Sequence, residues 1–368
     1  MKMHCSIIEP DAPIWSEYLS TTRHDVYHLP QYVKFSASGN GDQPRAFVAE
    51  RGRNRFFVPF VVRCISPAPD MRYSLFDAIS PYGHPCPLVF TKDGSDPDAD
   101  FLPEALRLLA EVLRARGIIS VFLRLHPLIS FPTAAFRNHG CLVQHGQTVF
   151  VDLTLPQEVI WQQSSATTRN LINAAKRKHY VVDMDRTVEN INAFAELYAE
   201  TMRRVGSAAR YNHPRRYFTD LLQGMKEHWH LCFVRIQGAI AAGGMFSECS
   251  GIVQYHHSVV KTEYLKADGT RFILDFIRTW AKQRGNQMLH LGGGYGGTED
   301  SLFKFKASFS PLRQPFHTWR LIADPAAYNA AVARWEQLAG TPADPPDGFF
   351  PAYRKPVAPI EVSPVTSE

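Results

Sequence analysis

The chain has 368 residues, enough for two domains of ordinary size, each with its own hydrophobic core. Apolar residues make up 45% and charged residues 20%, which excludes a fibrous or low-complexity chain. The net charge of +5 lies entirely in residues 151–312, which hold 20 Lys and Arg against 15 Asp and Glu. A basic half favours a ligand that carries phosphate groups, such as a nucleotide, coenzyme A or RNA.

No window approaches the roughly 20 apolar residues of a membrane span, and the N-terminus lacks the apolar stretch of a signal peptide. The six cysteines are scattered and form no C-x-x-C pair, which favours free thiols in a reducing compartment over disulfides or a zinc site. We therefore expect a cytoplasmic protein without a metal site that makes at most transient contact with a membrane.

The first half predicts a hairpin followed by a strand, a helix and a further strand. Strands RAFVAE and RFFVPFVV flank a turn at residues 51–54, and the apolar run 73–79 ends in the turn SPYG. Apolar residues of segment 102–116 fall at three- and four-residue spacing, which predicts an amphipathic helix that ends at Gly117. The run IISVFLRL, which begins at Ile118, predicts the next strand.

The second half repeats this order. Its predicted elements are helices over 157–178, 188–204 and 270–284, and strands over 181–182, 230–236, 239–246, 252–260 and 288–292. Because each half contains a hairpin, a strand, a helix and a strand, the pattern predicts two similarly built α/β domains rather than one large sheet. Antiparallel strands with one β-α-β crossover indicate a mixed sheet in each domain.

The C-terminal part predicts a strand at PFHTWRLI and a helix over 325–338. Seven prolines follow between residues 342 and 364. Because proline interrupts both helices and central strands, this tail is predicted to be an irregular strap or a disordered end.

The clearest chemical pattern is LHLGGGYGGTEDSLFKFKASF, residues 289–309. An apolar run enters a loop with five glycines, and an acidic pair and two lysines, Lys304 and Lys306, follow. A glycine loop lets backbone N–H groups approach a ligand closely, and nearby lysines suit an anionic ligand. The alternative is a structural turn with lysines that extend from a packed surface.

The order of elements resembles the GNAT acyltransferase fold, and two such units in tandem resemble the FemABX family of amide-forming transferases. The segments that carry this likeness are DAISPYGHPCPL (77–88), IWQQSSATTRNLINAAKRK (160–178), FAELYAETMRRV (194–205), YLKADGTRFILDFIRTWAKQRG (264–285) and LFKFKASF (302–309). In the last of them, Phe305, Lys306 and Phe309 are similar to the F-K-x-x-F signature of the family.

The resemblance implies an α/β fold of two tandem GNAT-like domains, each a mixed, mostly antiparallel sheet with flanking helices. Residues 1–150, completed by 313–340, would form the first domain on the acceptor side. Residues 151–312 would form the second domain on the donor side, and 341–368 a proline-rich tail. The family transfers an acyl group, commonly an aminoacyl group from tRNA, onto an amine without a metal or a covalent enzyme intermediate.

An amine that attacks an ester or thioester forms a tetrahedral oxyanion, so catalysis needs a fixed cation or donor near that oxygen and a proton acceptor. We assign the cation to Lys306, which Phe305 and Phe309 could hold in a partly dry setting where its charge counts for more than in water. A surface lysine above packed phenylalanines is the alternative. The candidate proton acceptors are Asp300, Glu299, His256 and His290, unless the donor's own ribose hydroxyls carry the proton.

Ligand-binding residues follow from the same motifs. A GNAT protein that uses coenzyme A has a pyrophosphate loop resembling Q/R-x-x-G-x-G/A, and Asp268 and Arg271 depart from it here. The predicted donor-binding residues are Lys266, Gly269, Thr270, Gly293, Gly294 and Lys304. The predicted acceptor-binding residues are Tyr82, Gly83, Arg169, Arg210, Tyr211 and His256.

The leading interpretation is an amide-forming acyltransferase with aminoacyl-tRNA as the slightly favoured donor and no permanently bound cofactor. Its acceptor would be an amine on a small molecule or a cell-envelope precursor, and DNA is not an expected partner. One alternative is an acyl-CoA-dependent N-acetyltransferase that acts on an amino sugar or small amine. Another is a non-catalytic protein that binds RNA or a nucleotide-sugar.

Overall fold

The computed structural model describes residues 2–39, 41–65, 75–207, 211–345 and 347–357. Its strands are β1 (His4–Ile8), β2 (Gln43–Arg51), β3 (Asn54–Cys64), β4 (Phe76–Ile79), β5 (Leu88–Thr91), β6 (Ile118–Arg124), β7 (Cys141–Asp152), β8 (Val181–Met184), β9 (Trp229–Ile236), β10 (Ala239–Cys249), β11 (Ile252–Val260), β12 (Met288–Gly292) and β13 (Arg313–Ile322). Its helices are α1 (Pro13–Thr21), α2 (Pro30–Ser36), α3 (Phe101–Ala115), α4 (Thr133–Asn138), α5 (Gln157–Gln163), α6 (Ala166–Arg177), α7 (Val188–Arg204), α8 (Arg215–Gly224), α9 (Gly269–Gln283), α10 (Ser301–Ala307) and α11 (Pro325–Ala339).

The two halves of the chain share one strand pattern. The hydrogen-bonded order is β1-β2-β3-β4-β6-β13-β7-β12-β11-β10-β9-β8, and β5 pairs with β3 beside this path. Each half has one parallel pair, β4 with β6 and β11 with β12. Parallel neighbours need a crossover connection, which α3 supplies in the first half and α9 in the second.

The strands of both halves form one hydrogen-bonded sheet, so the two predicted units do not have separate sheets but share one through β13. β13 pairs antiparallel with β6 on one side and with β7 on the other, and Thr318 lies opposite both Arg124 and Val143. The predicted boundary at residue 150 falls inside β7, whose last residues pair with β12. A strand from the C-terminal segment therefore joins the halves edge to edge.

Separate cores still lie on the two halves. One core packs α1 and α3 against the first sheet half and includes Trp319 of β13. A second core packs α6 and α9 against the other half. A third cluster joins the halves, because Tyr32 from the first stacks on Trp229 from the second with ring centroids 6.1 Å apart.

The predicted helix over 157–178 is two helices, α5 and α6. Ser165 has extended backbone angles, and its hydroxyl accepts a hydrogen bond from the amide of Thr168 at 3.2 Å, which starts α6. A serine at such a position competes for helix hydrogen bonds and favours an N-cap. The apolar spacing alone did not reveal this break.

The sequence analysis missed β1, α1, α2, β5, α4, β7, α8 and α10. Two of these helices begin at a proline, Pro13 and Pro30, and are too short for a strong period. No helix in the described ranges has the length and apolar character needed to cross a lipid bilayer. The tail returns to the first half, where the hydroxyl groups of Tyr353 and Ser120 form a hydrogen bond of 2.8 Å. The end of the predicted tail, residues 358–368, lies outside the described residues.

Candidate active site

A cavity of about 430 Å³ lies where β6, β13, β7, β12 and β11 meet, and we call it the histidine cavity. The side chains that characterise its lining are His84, His145, His256, His290, Arg124, Tyr82, Tyr211, Tyr255 and Lys306, with the glycine loop 292–297 at one edge. Residues from both halves of the chain contribute. The join between the halves therefore creates the cavity.

Lys306 on α10 reaches the cavity as a nearly buried ammonium group. Its side chain is 9% exposed, and Nζ donates a hydrogen bond to the carbonyl oxygen of Gly293 at 2.7 Å. Nζ lies 5.9 Å from the ring centroid of Tyr255. Burial lowers the pKa of Lys306 to about 8, although the nearby carboxylate of Asp300 opposes this shift. The group is thus charged at neutral pH and close to its titration range.

The glycine loop and the start of α10 position Lys306. Gly292 has a φ of +80°, and a Cβ there would lie 3.2 Å from Nζ, so a side chain would crowd the ammonium group. Asp300 caps α10, accepting hydrogen bonds from the amides of Phe303 at 2.8 Å and Tyr295 at 3.0 Å. The bond from Phe303 makes the largest contribution to lowering the pKa of Asp300. Asp300 therefore ties the loop to the helix.

A buried carboxylate, Asp25, lies behind the cavity wall. The ring of His126 accepts amide hydrogen bonds at Nδ1 from Leu128 at 2.9 Å and Ile129 at 3.1 Å. Its proton is therefore on Nε2, which donates to Asp25 at 2.8 Å. Burial by itself raises the pKa of Asp25, but hydrogen bonds led by that from His126 outweigh it and lower the pKa overall. Asp25 is thus an ionised acceptor.

The same carboxylate fixes the protonation of His290 through Gln254. The amide nitrogen of Gln254 donates to Asp25 at 2.6 Å, so its oxygen must accept from Nδ1 of His290, also at 2.6 Å. Nε2 of His290 then carries a free lone pair, and no described residue bonds it. Burial, with His84, His126 and Lys306 nearby, holds the pKa of His290 well below its usual value. His290 is thus a neutral imidazole in the cavity wall, with Nε2 available as a hydrogen-bond acceptor.

A second imidazole, half-buried, lies beside it. The ring centroid of His84 is 5.5 Å from that of His290, and its Nδ1 has no hydrogen-bond partner among the described residues. Burial, followed by the charges of His126 and Arg124, lowers the pKa of His84 to about 3. Unpartnered buried nitrogens in a cavity wall are groups that a polar ligand can satisfy.

An adjoining cavity of about 630 Å³, which we call the aromatic cavity, shares Lys306 and the glycine loop with the first. Its distinctive lining residues are Tyr198, Met202, Val205, Tyr295 and Leu302. Neither His290 nor Arg124 lines it. Lys306 therefore lies at the junction of a polar compartment and a largely apolar one.

Eight of the predicted site residues lie together around the histidine cavity: Tyr82, Gly83, Tyr211, His256, His290, Gly293, Gly294 and Lys306. Gly83 has a φ of +106°, and a Cβ there would overlap the ring of Tyr27. His256 is less suited to accept a proton than His290, because the hydroxyl of Tyr217 lies 2.9 Å from its Nε2.

The other predicted residues lie away from this lining. Lys266 and Lys304 are exposed, Gly269 and Thr270 begin α9, and Arg169 donates to the carbonyl of Gln162 at 3.1 Å. Phe305 is not among the lining residues of the histidine cavity, and its ring centroid lies 5.7 Å from that of Phe309. Glu299 is exposed, and Arg210 lies outside the described residues.

The sequence analysis missed Asp25, His84, Arg124, His126 and Gln254. These residues come from distant parts of the chain, and only the folded sheet brings them together. One signal was available for Arg124 and His126, because polar residues at the carboxyl end of a buried parallel strand commonly face a ligand crevice.

Comparisons with known proteins give a consistent fold. Residues 163–304 match the family described as acetyltransferase (GNAT) domain. FemX has a TM-score of 0.65 with this chain at 12% identity, covering 90% of this chain and 99% of FemX. L-PGS from Bacillus licheniformis has a TM-score of 0.53 at 13% identity, covering 85% of this chain and 92% of that one. A conserved protein of unknown function from Bacteroides thetaiotaomicron has a TM-score of 0.54 at 13% identity, covering 87% of this chain and 100% of that one.

No curated protein matches the chain in sequence. Identities of 12–13% to solved structures establish the fold alone. The predicted fold class, two tandem GNAT-like units of mixed, mostly antiparallel sheet, is confirmed by these likenesses and by the family match.

Proposed function

We propose that this chain, which matches an acetyltransferase (GNAT) domain over residues 163–304 and is similar in fold to FemX, is an acyltransferase that forms an amide by moving an aminoacyl or acyl group onto an amine at the histidine cavity. The observation that carries this proposal is the ammonium group of Lys306, nearly buried where two cavities meet. The acyl group occupies the aromatic cavity, and the amine enters through the histidine cavity.

Lys306 stabilises the oxyanion of the tetrahedral intermediate. The Gly293 carbonyl already holds the ammonium group by a hydrogen bond of 2.7 Å, so little reorganisation is needed during the reaction. An ammonium group in a partly dry site acts on a developing charge more strongly than one in water. We propose a positioning role for Asp300 and for Phe305 rather than direct contact with the reacting atoms.

His290 accepts the proton that the amine loses. As the new C–N bond forms, Nε2 of His290 takes one proton from the nitrogen, and the ionised Asp25 stabilises the resulting imidazolium at a distance through Gln254. When the C–O bond of an ester donor breaks, the same proton passes to the leaving oxygen. The products are the amide and a free hydroxyl, and no proton remains on the enzyme.

The segment at the start of α9 favours aminoacyl-tRNA over acyl-CoA as the donor. The guanidinium group of Arg271 donates hydrogen bonds to the carboxylate of Asp268 at 3.1 Å and to the hydroxyls of Thr168 and Ser308, both at 3.0 Å. The Asp268 carboxylate would repel a pyrophosphate bound at this helix start. The exposed Lys266 and Lys304 can instead contact tRNA phosphates on the basic half.

Acyl-CoA is the second candidate donor, because the matched family is described as an acetyltransferase domain. In either case Tyr82, Gly83, Tyr211 and His256 contact the acceptor, an amine on a small molecule or on a cell-envelope precursor. Both donors are cytoplasmic compounds, so we place the reaction in the cytoplasm.

The test supplies purified protein with labelled aminoacyl-tRNA or labelled acetyl-CoA and a panel of amines. The expected result is transfer from charged tRNA that ribonuclease abolishes. Transfer from the thioester would identify acyl-CoA as the donor instead. Binding of either donor without turnover on any amine would contradict the assignment as an enzyme of this reaction.

A further inference from the structure

The histidine cavity has an unusual charge distribution. Among the described residues that line it, Arg124 and Lys306 are positively charged, and there is no Asp or Glu. The ionised Asp25 lies behind the wall, where hydrogen bonds from His126 and Gln254 occupy it. A cavity lined in this way favours a ligand with a negative group.

Arg124 has no anionic partner in the described part of the chain. Its backbone amide donates to the hydroxyl of Ser80 at 3.1 Å, and its guanidinium carbon lies 5.2 Å from the ring centroid of Phe122. No described carboxylate pairs with the guanidinium group, whereas Arg63, for example, is paired with Asp77 at 2.9 Å. A partly buried guanidinium group on an aromatic face is a fork suited to a carboxylate or phosphate.

The division between the two cavities shows which substrate carries this negative group. Arg124 and His290 both line the histidine cavity, and neither lines the aromatic cavity. The attacking amine must lie within reach of the proton acceptor, His290. The negative group bound by Arg124 therefore belongs to the molecule that brings the amine.

We propose that Arg124 binds an oxyanion, a carboxylate or a phosphate, on the acceptor, so that the acceptor is an amine with an anionic group elsewhere in the same molecule. This inference rests on the proposed function and narrows its acceptor class. Lys306 stabilises the oxyanion that forms at the reacting carbonyl, and Arg124 binds the anionic group at the other end of the acceptor. A neutral amine lacks this group and therefore makes no ion pair with Arg124.

The test measures binding by calorimetry with two matched pairs of probes, β-alanine against propylamine and phosphoethanolamine against ethanolamine. The wild-type protein should bind at least one anionic member about tenfold or more tightly than its neutral partner. Arg124→Gln should lose that preference, and Arg124→Lys should keep part of it. The pair that shows the preference distinguishes a carboxylate from a phosphate.

Arg107→Gln is the control, because it removes the same charge at an exposed position of α3 that does not line the cavity. Unchanged melting temperatures would show that the variants are folded. Equal binding of neutral and anionic probes, no binding of any probe by the wild type, or an undiminished preference in Arg124→Gln would each overturn the proposal. Transfer is assayed separately, so an Arg124-dependent preference without any transfer would remove the proposed function and leave the anion site standing.

Discussion

Lys306 is the residue on which the proposed chemistry depends most directly. Lys306→Met keeps a similar side-chain length without the charge, and we expect the transfer rate to fall about 10²–10³-fold, as for loss of a donor to an oxyanion. Lys92→Met is the matched control, because Lys92 is exposed in the first half and lies outside both cavity linings. Single-turnover measurements would compare the two variants, and equal rates would contradict the assignment.

The pH dependence of transfer should report the same group. Because burial lowers the pKa of Lys306 to about 8, the charged form is lost as the pH rises through this value. We therefore expect kcat/KM to decline above a pH of about 8. In Lys306→Arg the guanidinium group stays charged, so the decline should disappear from the profile even if the rate is lower. A decline that persists unchanged in this variant would have to come from another group.

His290 can be tested by chemical rescue. His290→Ala removes the proton acceptor and should slow transfer about 10²–10⁴-fold. It also leaves the Gln254 oxygen unpaired, so a loss of roughly 1–3 kcal/mol in unfolding free energy is expected as well. Added imidazole should restore part of the rate in this variant. His4→Ala, which changes an exposed histidine on β1, is the control and should keep the wild-type rate with or without imidazole. A normal rate in His290→Ala without imidazole would contradict the role of His290 and would mean that the donor itself accepts the proton of the amine.

Sequence reasoning could place candidate site residues near one another only where one short segment contains them. Lys306 and the glycine loop are close in sequence, so their proximity could be inferred from the loop. The chain of contacts from His126 through Asp25 and Gln254 to His290 joins four separate segments. Its hydrogen bonds depend on the register of β11 beside β12, which local patterns do not determine.

At the scale of elements, α10 is a two-turn helix whose cap also organises the glycine loop. Asp300→Ala should cost about 1 kcal/mol of unfolding free energy, because the Phe303 and Tyr295 amides lose their acceptor. It should also reduce transfer, since Lys306 would no longer be fixed. Asp324→Ala is the matched control, because Asp324 caps α11 through the Ala327 amide at 3.1 Å.

Denaturant unfolding and transfer assays on both cap variants would separate stability from positioning. The expected outcome is a similar loss of stability in the two variants and a loss of transfer in Asp300→Ala alone. Comparable transfer in both would mean that the cap stabilises α10 without positioning Lys306.

Elements with a strong local signal were predicted correctly, and those shaped by tertiary contacts were not. The amphipathic helices α3 and α9 end beside Gly117 and Gly285, both with positive φ, as the sequence indicated. β7 was missed because much of it is only partly buried and Gly146 interrupts its apolar pattern. Its pairing with β13 is a long-range contact that no local pattern reports.

At the scale of the whole molecule, the C-terminal segment holds the two halves in one sheet. β13 adds its hydrogen bonds to β6 and β7, and its Phe316 and Thr318 also line the histidine cavity. Lys306, the proposed catalytic lysine, comes from the second half and Arg124 from the first. The site therefore depends on a junction formed only when the last part of the chain has folded back.

The tail that follows β13 makes a second long-range contact, which can be tested on its own. Arg354 donates hydrogen bonds to the carboxylate of the fully buried Asp77 at 2.7 Å and to the carbonyl oxygen of Cys64 at 2.8 Å. Arg63 donates a hydrogen bond of 2.9 Å to the other carboxylate oxygen of Asp77. Arg354→Ala leaves this carboxylate with one cationic partner and should reduce the unfolding free energy by roughly 1–3 kcal/mol. Thermal melts would measure the loss.

Arg334→Ala is the control for this variant, because Arg334 is exposed on α11 and no described carboxylate pairs with it. Transfer below the melting temperature should be unchanged in both variants, since neither arginine lines the histidine cavity. If Arg354→Ala melts like the wild type, the tail rests on the first half without stabilising it, and β13 alone accounts for the return of the C-terminal segment.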